Sequence, residues 1–404
     1  MKTSRRKFIG TSAALATSFA LPSFASIKQR SLPQTLKDRF DPWIEVFPEA
    51  IKYNAKVLYN LSGKKPVLAV IKNNGYGLGD VNIAKILDEV PEVAGFAAVK
   101  TNSCISVKES GIKKPILHLG MASDHDFFDL VANDIQLSIY DRRMLQLLET
   151  ISDKIGRSFK VHLYIDTGMS RMGFPYHCAM PWMESISNSK KIDIQGSFMG
   201  FTEDPEFDRE QLIRFKDLNS EAVTRKVDMG ILHAASSNAI FHFPESALDM
   251  VRPGIGLYGA YPTFPEKEKQ IAELKVAYRL NSRVVRVEQL RIGDSVSYGR
   301  NYVAEKPVWV ATLPVGHADG YLRSAVEGAK VLINENLYRV IGAVSASHTI
   351  LEIGEHPSVK VGDLATLVGP DHAEIHPSHL SSITGVSVYD VLMHMSARLP
   401  KVMV

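Results

Sequence analysis

Cysteine is scarce in this sequence: Cys104 and Cys178 are the two among 404 residues. They are too few for a disulfide framework and too far apart in sequence for a metal knuckle. One-sided charge is also missing. The 47 Lys+Arg stand against 44 Asp+Glu, and a net charge of +3 argues against a nucleic-acid partner. There is no long apolar run of the kind that spans a bilayer. Phe8–Ala20 is interrupted by Gly10, Thr11, Ser12, Thr17 and Ser18, which leaves it too short and too polar for a stable membrane anchor. Tandem repeats and low-complexity tracts are absent. The remaining composition, 45% hydrophobic and 23% charged, is that of a soluble globular chain and excludes disorder and a multi-span membrane protein.

What small charge excess exists is concentrated at the start. Residues 1–7 hold Lys2, Arg5, Arg6 and Lys7 and no acid. A mildly apolar stretch follows, then Pro22 and the small-x-small triplet Ser23-Phe24-Ala25. Ser4-Arg5-Arg6-Lys7-Phe8-Ile9 resembles the bacterial twin-arginine export signal. Residues 1–25 are therefore expected to be a signal peptide, with the mature protein periplasmic or otherwise exported. Residues 26–40 read as a polar lead-in.

From there the chain alternates. Short β-rich runs at 67–72, 95–99, 115–120, 135–139, 160–166, 194–199, 231–235 and 250–255 are separated by stretches of helical periodicity such as 81–90, 141–152 and 209–226. Eight such units predict a (β/α)8 barrel over 41–275, with a doubly wound sheet as the alternative. After residue 275 the pattern becomes strands with few long helices, at 283–287, 309–313, 329–333 and 338–342. Residues 276–404 are expected to form a mostly β domain.

Lys72 ends the apolar run Val67–Ile71, which would place it at the C-terminal mouth of the barrel, where barrel enzymes keep their chemistry. A desolvated lysine there loses its proton readily and becomes a nucleophile toward an aldehyde. The bland reading is a lysine that snorkels to solvent.

Residues 69–79 read Ala-Val-Ile-Lys-Asn-Asn-Gly-Tyr-Gly-Leu-Gly. This resembles the lysine motif of the alanine racemases, and the likeness runs along essentially the whole mature chain. Asp166-Thr167-Gly168-Met169-Ser170-Arg171-Met172-Gly173, Asp249–Gly259 and Asp294-Ser295-Val296-Ser297-Tyr298-Gly299 match further segments of that family. The resemblance implies a fold-type-III enzyme in which Lys72 holds pyridoxal 5′-phosphate as a Schiff base. It implies that Tyr76, Ser237, Gly254, Ile255 and Tyr389 surround the phosphate, that Arg171 approaches the cofactor's phenolic oxygen and that Arg252 faces the ring nitrogen. It further implies an amino-acid racemase that works with two opposed bases, Lys72 and a Tyr298 donated by the second subunit of a head-to-tail homodimer. A phenol is a poor base near neutral pH unless cations lower its pKa.

The departures from the family pattern bear on specificity. Tyr164 stands where the family commonly has a lysine, often carbamylated, and Gly200 where it has a ring-stacking histidine. Ser236 replaces an asparagine, Ser345-Ala346-Ser347-His348 replaces Cys-Met-Asp-Gln near the substrate carboxylate, and His317 replaces a tyrosine. Ala346 and Gly200 are expected to widen the substrate pocket beyond alanine, at about 1–3 kcal/mol per methylene. The competing reading is a diverged pyridoxal-phosphate protein, aldolase- or dehydratase-like or merely cofactor-binding. His372, His376 and His379 have a metal-like rhythm, but their spacing matches no standard zinc motif and the prolines nearby suggest a surface loop, so no metal is expected.

Overall fold

The computed structural model describes Leu36 and residues 38–404. The proposed signal, residues 1–25, and most of the lead-in lie outside the described residues. Trp43–Val46 (β1) is followed by α1 (Pro48–Leu61), whose proline sits in the first turn, where its missing N–H costs nothing.

Seven parallel strands come next: β2 (Val67–Val70), β3 (Val93–Ala98), β4 (Ile116–His118), β5 (Gln136–Ile139), β6 (Phe159–Asp166), β7 (Ile192–Phe198) and β8 (Ile231–His233). Each is hydrogen-bonded to its neighbours in sequence order. The ring closes through Met250 and Val251, which bridge His233 on one side and Val67 on the other, both parallel. Val251 donates its N–H to Pro66 O, and its own carbonyl accepts from Leu68 N. The eighth predicted strand is thus reduced to a two-residue bridge, and a barrel rather than a doubly wound sheet results.

The intervening helices fall where periodicity predicts them: α2 (Asp80–Asp88), α3 (Thr101–Glu109), α4 (Asp124–Ala132), α5 (Arg142–Ile155), α6 (Met180–Ser187) and α7 (Pro205–Thr224). Local signals set their ends. Asp204 caps α7 by accepting from Glu206 N and Phe207 N, and Ser123 and Asp126 form a capping box on α4. The shorter α8 (Ser237–His242) and α9 (Pro265–Ile271) complete this half.

The barrel interior is divided. Leu68, Val70, Ala97, Leu117 and Met250 fill one side. Ser138, His162 and His233 lie on the other side and are buried. Gly196 makes room for this polar side, since a Cβ there would lie 2.7 Å from His162 Nδ1.

The second sheet has nine strands: β9 (Tyr278–Arg283), β10 (Arg286–Leu290), β11 (Val308–Leu313), β12 (Lys330–Ile333), β13 (Asn336–Ile341), β14 (Thr349–Gly354), β15 (Leu364–Val368) and β16 (Lys401–Met403), with β1. Their spatial order is β10-β11-β14-β13-β12-β15-β9-β1-β16. Two expectations change here. Strand β1, assigned from sequence to the start of the barrel, pairs with β9 and β16 instead, consistent with four residues all buried. The run predicted at 283–287 spans two strands, because Val284 and Val285 turn their N–H groups to different partners, Asp363 O and Thr312 O.

The histidine-rich stretch is also more ordered than a loop. Pro377–Thr384 forms α10, capped by His376 Nδ1, which accepts from Ser378 N; His372 Nδ1 likewise accepts from Glu374 N. A short α11 (Val388–Met393) follows.

Candidate active site

In β2 every second side chain points inward, and Leu68 and Val70 do so. Lys72 lies two residues past the end of β2, at the start of the turn that follows it, and is half-buried. Burial lowers its pKa from the ordinary lysine value, and the nearby Arg171 guanidinium lowers it further. Both effects favour the neutral, nucleophilic amine.

Directly after Lys72 the backbone makes a left-handed turn. Asn73, Asn74, Gly75 and Tyr76 have φ of 54°, 57°, 57° and 53°. Asparagine and glycine tolerate this region best, which explains the Asn-Asn-Gly run. Helix α11 of the β domain is seated on the turn. Asn73 Nδ2 lies 3.2 Å from Met393 Sδ, and a Cβ on Gly77 would come 2.6 Å from Leu392 O.

Across the mouth, Ser237 Oγ accepts from Gly254 N at 3.0 Å and Gly256 N at 3.1 Å. Gly254 is obligatory, because a Cβ there would overlap Tyr76 Oη. Tyr76 packs on Tyr258 with centroids 4.7 Å apart, and Tyr389 lies 6.5 Å away on the other side. Burial raises the pKa of both Tyr76 and Tyr389, so each hydroxyl is held protonated as a donor. Ile255 is buried at the start of a 3-10 turn, Ile255–Tyr258. Tyr76, Ser237, Gly254 and Tyr389 are thus brought together, with Ile255 next in the chain.

Arg252 is bound into a chain of polar groups. Its Nη2 donates to Met199 O at 2.6 Å, and its Nη1 donates to His233 O and lies 3.1 Å from His233 Nδ1. His233 Nε2 is 2.8 Å from His162 Nδ1, and His162 Nε2 is 2.9 Å from Gln136 Oε1. A guanidinium can only donate, so the direction of every link is fixed. His233 accepts at Nδ1 and donates from Nε2; His162 accepts at Nδ1 and donates from Nε2 to Gln136. Both imidazoles are thus neutral, and burial together with the Arg252 charge lowers their pKa values, that of His162 to about 4. His162, His233 and Gln136 were not singled out from sequence. The available signal was polar residues at inward parity on β5, β6 and β8.

Arg171 is exposed beside Lys72, on the segment after β6. Tyr164 is buried on β6, stacked on Phe198 at 4.3 Å and edge-on to Tyr140 at 6.2 Å. The expected void at Gly200 is bordered by two groups. A Cβ there would meet Met169 Sδ at 3.3 Å and Tyr164 Oη at 3.8 Å. The Tyr164 side chain, from the neighbouring strand, reaches this place.

Two predicted residues stand apart from this assembly. Tyr298 begins a 3-10 turn of the β domain and is 79% exposed. Ala346 is exposed in the turn 345–348, where its carbonyl accepts from Ala318 N. The two segments are neighbours, since Ser297 Oγ donates to Ala343 O at 3.2 Å.

The barrel-mouth groups suit a phosphorylated pyridine aldehyde. The Lys72 amine fits an aldehyde carbon, the two protonated phenols and the Ser237–Gly254 cradle fit a phosphate, and Arg252 fits a ring nitrogen.

The comparisons agree with this geometry. Residues 46–262 match the alanine racemase N-terminal domain and residues 277–403 the alanine racemase C-terminal domain. The chain is 31% identical over 367 residues to the alanine racemase of Methanococcus maripaludis, covering 89% of this chain and 98% of that one. It is 33% identical over 366 residues to that of Clostridium perfringens, covering 89% and 94%. Among solved structures, an alanine racemase of Clostridium difficile superposes with a TM-score of 0.81 at 30% identity, covering 89% and 94%. That of Bacillus anthracis with bound L-Ala-P gives 0.82 at 25% identity, covering 90% and 95%. The chain therefore belongs to the alanine racemase family, the pyridoxal 5′-phosphate-dependent amino-acid racemases of this fold.

Proposed function

We propose that this protein interconverts L- and D-amino acids, alanine and substrates with larger side chains, after export from the cytoplasm. The observation that carries the reading is Lys72, just past the C-terminal end of β2, with its pKa lowered by burial and by Arg171. When bound, pyridoxal phosphate supplies the electron sink that acidifies the substrate's α-hydrogen. The protein's own groups do the rest. Tyr76, Tyr389, Ser237, Gly254 and Ile255 hold the phosphate end. Arg252 presents a fixed positive charge to the ring nitrogen, which disfavours a proton there and so favours simple return of the α-proton over side reactions.

Lys72 Nζ takes or returns a proton on the D-face, and Tyr298 Oη does so on the L-face. The exposure of Tyr298 on the β domain supports its donation to a second subunit, so that the active unit is a head-to-tail homodimer. Arg171 orients the substrate, and Ala346 borders its side chain. The basic start of residues 1–25 supports export.

Incubation in heavy water with L-alanine, L-lysine, L-arginine or L-methionine is expected to give loss of optical rotation with uptake of deuterium at the α-carbon. Absence of exchange with all four, in protein that carries bound cofactor, would reject the racemase reading. Sharing of sites is tested by mixing inactive Lys72→Ala and Tyr298→Phe proteins. Random pairing gives hybrids with one intact site, hence roughly a quarter of wild-type activity, whereas sites confined to single subunits give none.

A further inference from the structure

Tyr164, Phe198 and His233 stand on three adjacent strands, β6, β7 and β8, and form a continuous layer of rings. Tyr164 is paired with Phe198 in register and stacked on it at 4.3 Å and 25°; Phe198 is stacked on His233 at 5.2 Å and 23°. The Arg252 guanidinium lies 5.1 Å from the Phe198 centroid, so the layer carries at its middle the group assigned to the cofactor ring nitrogen. At its outer end, the Tyr164 hydroxyl reaches toward the bare backbone of Gly200. Within 4 Å of a Cβ built on Gly200 lie Tyr164 Oη and Met169 Sδ and no other group among the described residues.

Positions 164 and 200 are therefore neighbours in space. Gly200, two residues past β7, carries no side chain, and the Tyr164 ring from β6 borders that place. A histidine at 200 would have to displace Met169 Sδ, already at 3.3 Å from its Cβ, and then meet the phenol. Overpacking of this kind is destabilising in a packed site.

We propose that Tyr164 is a positioning residue for the bound pyridoxal-phosphate ring, filling from β6 the wall that the absent side chain at Gly200 would have formed. This rests on the cofactor reading above. The phenol is suited to that role because it is buried, stacked on Phe198 and edge-on to Tyr140, and ends in a hydroxyl. The two positions should then be energetically coupled, and changing either alone should disturb cofactor binding more than changing both.

The test is a double-mutant cycle on the full chain with Tyr164→Ala, Gly200→His and the pair. It reads the dissociation constant of pyridoxal phosphate and the absorption band of the bound cofactor, with the melting temperature of cofactor-free protein as the folding control. Each single variant is expected to weaken binding by about tenfold and to shift the band, and the pair to recover to within about threefold of wild type. Tyr164→Leu serves in the same cycle if the alanine variant does not fold. Losses that multiply independently, or an unchanged constant and band in the Tyr164 variants, would overturn the proposal. A wild-type protein that binds no pyridoxal phosphate would overturn it along with the cofactor reading, whereas tight wild-type binding with uncoupled variants overturns it alone.

Discussion

The guanidinium of Arg252 donates to the imidazole of His233, with 3.1 Å between Nη1 and Nδ1, and that one contact dictates the tautomer of every ring behind it. Because arginine cannot accept, donation runs from His233 Nε2 to His162 Nδ1 and from His162 Nε2 to Gln136 Oε1. Arg252 is thereby held from behind by a neutral chain and keeps its charge for whatever lies in the mouth.

The far end of that chain is its vulnerable point. Gln136→Leu would leave the His162 Nε2–H buried without an acceptor. Chemical denaturation is expected to show a loss of about 1–3 kcal/mol, with no direct contact to the barrel mouth altered. Gln136→Glu keeps an acceptor and should be milder.

Stability should also fall on acidification. Burial depresses both His118 and His162 to about 4, against an ordinary histidine value of 6.5. Their unfolded forms take up protons first. The folded state is therefore fully favoured above pH 6.5, loses stability as the pH falls toward 4, and loses no more from these groups below that. The scale is on the order of 3 kcal/mol per histidine. Melting temperatures followed from pH 7 to 4 should show the decline, and His118→Leu should flatten it.

Lys72 offers a second pH handle. The Arg171 charge helps to hold its pKa below 10.5, so Arg171→Gln should let it rise. Capture of pyridoxal phosphate by cofactor-free protein needs the neutral amine. The pH profile of the capture rate should move to higher pH in the variant, and an unmoved profile would separate Arg171 from Lys72.

Much of this was legible in the sequence because the signals were local. The eight β-rich runs give the barrel, and the apolar run Val67–Ile71 puts Lys72 at a strand end. Asn73-Asn74-Gly75 suits the left-handed turn that follows it. What escaped was non-local. Strand β1 joins a sheet whose nearest partner, Tyr278–Arg283, is more than 200 residues away, and no periodicity reports that. The His233–His162–Gln136 chain depends on register between β5, β6 and β8. The space at Gly200 is bordered by a side chain from another strand, Tyr164, which no reading along the chain reports.

The most direct measurement is α-hydrogen exchange by Tyr298→Phe in heavy water, begun separately from L- and D-alanine. If two opposed bases divide the chemistry, the variant should lose exchange from L-alanine by orders of magnitude. It should still exchange D-alanine with retained configuration through Lys72. Equal exchange from both enantiomers at the wild-type rate, or equal loss from both, would contradict that division.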